Sequence, residues 1–178
     1  MCFEIEAKLK VESLQEVESR LKQLGAEFMA EQLQTDYHFD DADGTLANTD
    51  RCLRLRQQKI SKNEVYFLTY KGPKEQSDFK KRQEIEIEIE DADSVRKLLT
   101  ALGYEMALSV EKKRQLWKFG ECEVALDELP LLGNFVEIEG PGDEEITKVQ
   151  ESLGLADLSH IPKSYARLTK DELCRRNA

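Results

Sequence analysis

An α+β fold in which an eight-stranded antiparallel β-barrel carries helices packed on its outside is the architecture this sequence predicts. Three observations lead there. Short segments alternate strictly between apolar and polar residues, a strand–helix–glycine unit returns three times, and charge is sorted onto one side of nearly every strand. With 178 residues the chain is long enough for a single domain spanning 1–178 with a proper core.

The opening "MCFEIEAKLK" sets Phe3, Ile5, Ala7 and Leu9 against Glu4, Glu6, Lys8 and Lys10, which reads as a strand with one apolar side. "ESLQEVESRLKQLG" follows, with Leu14, Val17, Leu21 and Leu24 at helical spacing, Ser13 and Glu16 as a capping box, and Gly25 as the stop. Further strands are expected at Gln34 to Asp40, Cys52 to Gln58 and Glu64 to Lys71, with a hairpin turn at Asp43-Gly44. "DDADGT" lacks a calcium loop's first ligand, since Phe39 stands there, and its closing Glu. Lys71-Gly72-Pro73 ends a strand, and "PKEQSDFKK" reads as a mobile loop.

The unit then recurs in "EIEIEIEDADSVRKLLTALG", where Val95, Leu98, Leu99 and Leu102 share a helical face and Gly103 closes it. Strands at Ser109 to Phe119 and Glu121 to Asp127 flank the turn at Phe119-Gly120. The third copy, "FVEIEGPGDEEITKVQESLG", places Ile146, Val149 and Leu153 before Gly154. Amphipathic helices of this kind cover the apolar sides of the strands. If the sheet closes, the charged sides face inward.

Composition narrows the function. A net charge of −10 argues against wrapping nucleic acid or lying on an anionic membrane. No apolar run approaches the roughly 20 residues a membrane span needs, and acids at Glu4 and Glu6 break any signal-peptide pattern, so a cytoplasmic protein is expected. The four cysteines show no C-x-x-C pair, and His38 and His160 lie far apart in the chain. A metal would therefore sit on carboxylates and be a hard cation, Mg2+ or Mn2+.

Parity supplies the rest. The charged sides collect Glu4, Glu6 and Lys8; Arg54 and Arg56; Lys71; Arg82, Glu84, Glu86 and Glu88; Lys112 and Arg114; Asp127; and Glu137 and Glu139. Two acids two residues apart on one strand can grip the same cation, and guanidinium forks suit phosphate oxygens. A solvated open sheet would also tolerate charge, but of mixed type and without order. Buried inside a barrel, so many charges cost several kcal/mol per ion beyond what pairing returns, which implies a polyphosphate and a divalent cation as their partners. Trp117, Tyr66, Tyr70 and Phe67 read as packing residues.

These elements resemble the CYTH proteins, or triphosphate tunnel metalloenzymes: "EIEAK" at the N-terminus, then R-x-R, R-x-E-x-E, E-K-x-R, Asp and E-x-E in order. "LDELPLLGNFVEIEG" and "PKSYARL" look most like the bacterial class IV adenylyl cyclase branch. The resemblance covers nearly the whole chain and implies a charged tunnel through the barrel. It implies divalent metal on Glu4, Glu6, Asp127, Glu137 and Glu139, with Glu84 and Glu86 as further candidates. It implies triphosphate on Lys8, Arg54, Arg56, Lys71, Arg82, Lys112 and Arg114, with Lys163 near the tunnel.

The leading expectation is thus conversion of ATP to cyclic AMP and pyrophosphate, with Lys8, Glu6 and Glu139 closest to the chemistry. The same motifs fit hydrolysis of tripolyphosphate or thiamine triphosphate, and, in a third reading, polyphosphate binding without turnover. The substrate beyond its triphosphate and the oligomeric state, a homodimer included, stay open at this point.

Overall fold

The structure, a computed structural model, describes residues 2–75 and 79–177. Eight strands form one closed ring: β1 (Cys2–Val11), β2 (Glu27–Asp40), β3 (Cys52–Ile60), β4 (Asn63–Lys71), β5 (Lys80–Ile89), β6 (Glu105–Phe119), β7 (Cys122–Leu129) and β8 (Gly133–Glu139). Around the barrel the order is β1-β5-β4-β3-β2-β6-β7-β8, and β8 pairs back onto β1 through Glu6 opposite Glu139 and Lys8 opposite Glu137. Every neighbouring pair is antiparallel.

The three repeated units fold alike. Helices α1 (Leu14–Gln23), α3 (Ala92–Ala101) and α4 (Asp143–Ser152) each end in a glycine with positive φ: Gly25 at 75°, Gly103 at 87° and Gly154 at 66°. That left-handed turn is open to glycine at little steric cost, and it sends the chain back toward the sheet. Ser13 caps α1 by accepting from the Glu16 amide at 3.3 Å, and Asp91 caps α3 through the Ser94 amide.

Packing outside the barrel explains the alternation. Val17 and Leu21 of α1, Ile146 and Val149 of α4 and Leu153 just after it press on Ala7, Leu9, Val124, Leu126, Val136 and Ile138, with Trp117 at the side. Leu99 and Val95 of α3 cover Phe39, Leu55, Tyr66 and Leu68. The opposite residue of each pair then has no direction left but inward.

Four features differ from the sequence reading. β2 starts at Glu27 rather than Gln34, and the extra length pairs with β6 across a register shift between Phe28 and Ala30, which breaks the period of two. β6 likewise begins at Glu105 rather than Ser109. "DDADGT" does not make a tight hairpin turn but starts a one-turn helix, α2 (Thr45–Asn48). Asp40 accepts from the amides of Leu46 and Ala47, both at 2.9 Å, and Asp41 from that of Thr45. A fifth helix, α5 (Tyr165–Arg176), also forms. Its Tyr165, Ala166 and Leu168 pack against Leu108, Val110, Leu129 and Phe135, which belong to the inward-facing register of β6, β7 and β8 and make one end of the barrel apolar. The "PKEQSDFKK" loop lies partly outside the described residues, at 76–78.

Candidate functional site

The barrel interior holds a cavity of about 1390 Å³. The parity sort of charges converges on it: Glu4, Glu6, Lys8, Arg54, Arg56, Lys71, Arg82, Glu84, Glu86, Lys112, Arg114, Glu137 and Glu139 all line the space. Asp127 stands behind this surface, fully buried. Glu88 shares the inward register at the far end of β5 and is exposed.

Opposite charges interleave. Lys71 Nζ reaches both oxygens of Glu4, at 2.8 and 2.7 Å, and Glu84 at 2.7 Å. Arg114 grips Asp127 through Nε at 2.7 Å and Nη2 at 2.5 Å, and also bonds Glu137. Lys8 sits 3.0 Å from Glu137 and 3.5 Å from Glu6, and it lies over the Tyr165 ring. Burial alone would lower its pKa, but Glu137 and Glu6 outweigh burial and hold it above the ordinary lysine value, so Lys8 is charged. Arg54 spans Thr69 at 3.0 Å and Glu86 at 3.3 Å. Two buried donors in this wall, the Nε of Arg54 and of Arg82, reach no acceptor among the described residues.

Two groups titrate in the neutral range. Lys112 is pushed down to about 7 by burial and by Arg114, with Asp127 at 3.7 Å pulling the other way. Glu139, at the mouth, is pushed up to about 7 by burial and by the nearby charges of Glu4 and Glu6. The carboxylates of Glu4, Glu6, Glu84 and Glu139 are gathered at the end of the tunnel formed by β1, β5 and β8. Among the described residues no three of these acids already converge as they would around one ion. Glu4 and Glu84 are turned instead to Lys71, and Glu6 lies beside Lys8.

Lys163 lies at the rim. Its carbonyl accepts from Lys8 Nζ at 3.3 Å, while its own Nζ turns away to Asp171 at 2.8 Å. Three groups absent from the sequence reading belong to the site. Asp36 is buried and holds Arg56 bidentately at 2.6 and 2.8 Å; burial would raise its pKa, yet Arg56 and Arg54 keep it well below the usual carboxylate range. Tyr165 donates to Asp127 at 2.8 Å. His38, lowered to about 4 by burial, has the Cys52 thiol 3.4 Å from its Nδ1. The parity rule applied to "QLQTDYHFD" would have found Asp36 and His38, since Gln32, Gln34, Asp36, His38 and Asp40 alternate with Leu33, Thr35, Tyr37 and Phe39. Cys52, Cys122 and Cys174 are free thiols.

The chain is similar to known proteins both in sequence and in shape. A Methanocaldococcus jannaschii protein provisionally named an adenylate cyclase is 32% identical over 175 residues, covering 93% of this chain and 98% of its own. The adenylate cyclase CyaB of Aeromonas hydrophila is 28% identical, over 96% of this chain and 91% of its own. A solved structure from Pyrococcus horikoshii superposes with a TM-score of 0.83 at 30% identity, over 94% of this chain and 99% of that one. No helix among the described residues is long and apolar enough to cross a membrane. The CYTH domain model matches residues 3–165, and the chain therefore belongs to the CYTH family.

Proposed function

We propose that the protein is a divalent-metal-dependent enzyme acting on a triphosphate, and that its reaction converts ATP to cyclic AMP and pyrophosphate. One observation carries the triphosphate part. Buried bases on β1, β3, β4, β5 and β6 surround one cavity, and two of their guanidinium donors, on Arg54 and Arg82, lack an acceptor. Phosphate oxygens are the acceptors that forked donors of this kind fit. The cyclase assignment leans on the names of the two sequence relatives.

Glu4, Glu6, Glu84 and Glu139 offer oxygens only, which fits Mg2+ or Mn2+, and the nearby charges of Glu4 and Glu6 add to burial in raising Glu139. A bound cation would supply charge neutralisation at the phosphates and would acidify a hydroxyl beside it. The chain's own residues do the rest. Arg54, Arg56, Arg82, Lys112 and Arg114 hold the phosphate oxygens. Asp36 fixes the Arg56 fork, and Asp127 with Tyr165 fixes Arg114 and Lys112. Lys8, charged between Glu6 and Glu137, is placed to steady the reacting phosphate. In the cyclase reaction the 3′ oxygen bonds to the α phosphorus, the bridging oxygen leaves with pyrophosphate, and the hydroxyl proton passes to water.

The test is to incubate the protein with ATP, thiamine triphosphate and tripolyphosphate, with Mg2+ or Mn2+, and to separate the products. Cyclic AMP with pyrophosphate is the expected result. Orthophosphate instead would make the protein a triphosphatase working on the same bound chain. Saturable binding without any product would leave a binding module and overturn the enzymatic reading.

A further inference from the structure

On β2 and β3 the inward series exchanges charge for amides. On β2 the inward series passes from Asp36 to Gln34 and Gln32; on β3 it passes from Arg56 to Gln58. Across the β2–β6 seam Gln34 faces Lys112 and Gln32 faces Arg114, and beyond Arg114 the β6–β7 wall becomes apolar at the Leu116–Ala125 pair before Glu123. Gln32, Gln34, Gln58, Leu116 and Ala125 all line the same cavity as the bases. Each step of two residues is about 7 Å along a strand, so the Gln34–Gln58 pair lies one sugar-sized step along β2 and β3 from the Asp36–Arg56 pair.

The amides are locked together and incompletely satisfied. Gln34 is 2% exposed. Its Nε2 donates to Gln32 Oε1 and Gln58 Oε1, both at 2.7 Å. Its own Oε1 is buried and accepts from no protein group. A purely structural amide cluster in a core would satisfy that oxygen, as buried polar groups nearly always are. With the carbonyls of Gln32 and Gln58 engaged by Gln34, the trio leaves the Gln34 oxygen to accept and the Gln32 and Gln58 amide groups to donate.

We propose that Gln32, Gln34 and Gln58 form the subsite that recognises the non-phosphate half of the substrate, and that its ligand is a heterocycle of the adenine type. Adenine carries an exocyclic amino donor between two ring-nitrogen acceptors, the complement of an acceptor between two donors. Glutamine reads this edge elsewhere in protein–nucleic acid recognition. Leu116 and Ala125 supply the apolar surface against which a ring can lie. Hypoxanthine places a carbonyl oxygen where adenine has its amino group and meets the Gln34 oxygen with another acceptor. The proposal rests on the triphosphate reading above and adds the substrate's other half to it.

Equilibrium binding of ATP, ITP and tripolyphosphate in EDTA, where turnover is suppressed, tests the subsite. The wild-type protein should bind ATP about tenfold or more tightly than ITP, as the discrimination per matched edge implies. Gln34→Leu should bring ATP down to the ITP level while tripolyphosphate affinity stays within about twofold, because the change removes no charge. Since Gln34 is deeply buried, the half-buried Gln58 gives a second variant, Gln58→Leu, which should lose part of the same preference with its circular dichroism unchanged. Equal wild-type affinity for ATP and ITP would overturn the subsite while leaving the triphosphate reading in place, as would an equal loss for all three ligands in both variants. Failure of the wild-type protein to bind any of the three would bring down both.

Discussion

Glu6, Glu139 and Arg56 each make a contribution that a single substitution can check. Glu6→Gln keeps an oxygen and the side-chain shape but removes the charge a hard cation needs. Turnover should fall by orders of magnitude and recover only in part at high metal, and equal rate-against-metal curves for the two proteins would reduce Glu6 to a strand residue. Glu139 gives a pH signature. Its carboxyl, raised to about 7, keeps its proton through the interval in which the unfolded chain, titrating near 4.5, has lost it. The ligand-free protein therefore loses stability from this group as pH rises from about 4.5 to about 7, and Glu139→Gln should flatten that slope in thermal melts. Metal that binds this carboxylate must displace the proton, so Mn2+ titrated at pH 6 should release protons and at pH 8.5 should not. Arg56→Met tests the pair with Asp36. Breaking a buried, bidentate pair costs about 3–5 kcal/mol, with the low end expected because Arg54 stays 3.7 Å from Asp36, and urea unfolding measures it. Most of these charges were legible by parity in the sequence. Asp36 was missed because its strand carries no E-x-E or R-x-R pair to draw the eye, and its neighbours on that face are glutamines and a histidine.

Elements were legible where one face alone is buried. The helices α1, α3 and α4 show their apolar stripe and their glycine stop because each lies on the outside of the barrel with its other face in water. α5 hid itself: only Tyr165 and Thr169 are buried along "YARLTKDELCRR", and Ala166, Leu168 and Leu173 make too sparse an apolar stripe among its charges to announce a helix. The first half of β2 hid as well, since the register shift after Phe28 scrambles alternation and leaves Phe28, Met29 and Leu33 about half exposed. The closing glycines give a test at this scale. A Cβ at Gly25 would meet nothing within 4 Å, whereas one at Gly154 would strike the guanidinium of Arg20, which reaches from α1 to donate to the Leu153 carbonyl at 2.7 Å. Gly25→Ala should cost about 1–2 kcal/mol from the left-handed backbone alone. Gly154→Ala should cost about 1 kcal/mol more, because Arg20 must swing away and give up its bond. Equal losses in denaturant unfolding would show that the α1–α4 clasp contributes nothing.

At the scale of the whole molecule, closure of the ring is what turns a list of charged residues into a site. The sequence announced alternation and charge sorting, and both follow from a sheet whose outer face is covered by helices. Which acid meets which base depends on the stagger between strands, and no local pattern carries it. Glu4 lies opposite Arg82 in the β1–β5 register, yet its carboxylate goes to Lys71 on β4. A protein with this much buried charge should be stabilised strongly by what it binds. At tripolyphosphate a hundredfold above its dissociation constant the gain is about 2.7 kcal/mol, and calorimetric melting should rise accordingly. The same melt with sulfate at equal ionic strength should rise less, and equal rises would mean that salt screening, not a fitted site, is responsible.

Lys71 holds Glu4 and Glu84 at once, and any phosphate that claims its ammonium leaves two carboxylates behind. A cation is the natural claimant for those carboxylates, and its arrival in turn frees the ammonium. On the proposed function, anion and cation would therefore promote each other, through an exchange of partners rather than through direct touch. Thermodynamic reciprocity then requires that whatever factor the metal adds to the affinity for tripolyphosphate, tripolyphosphate adds to the affinity for the metal. Lys71→Met should shrink both factors together, and the ligand-free tunnel is in this sense a closed circuit that a matched pair of ions opens more readily than either ion alone.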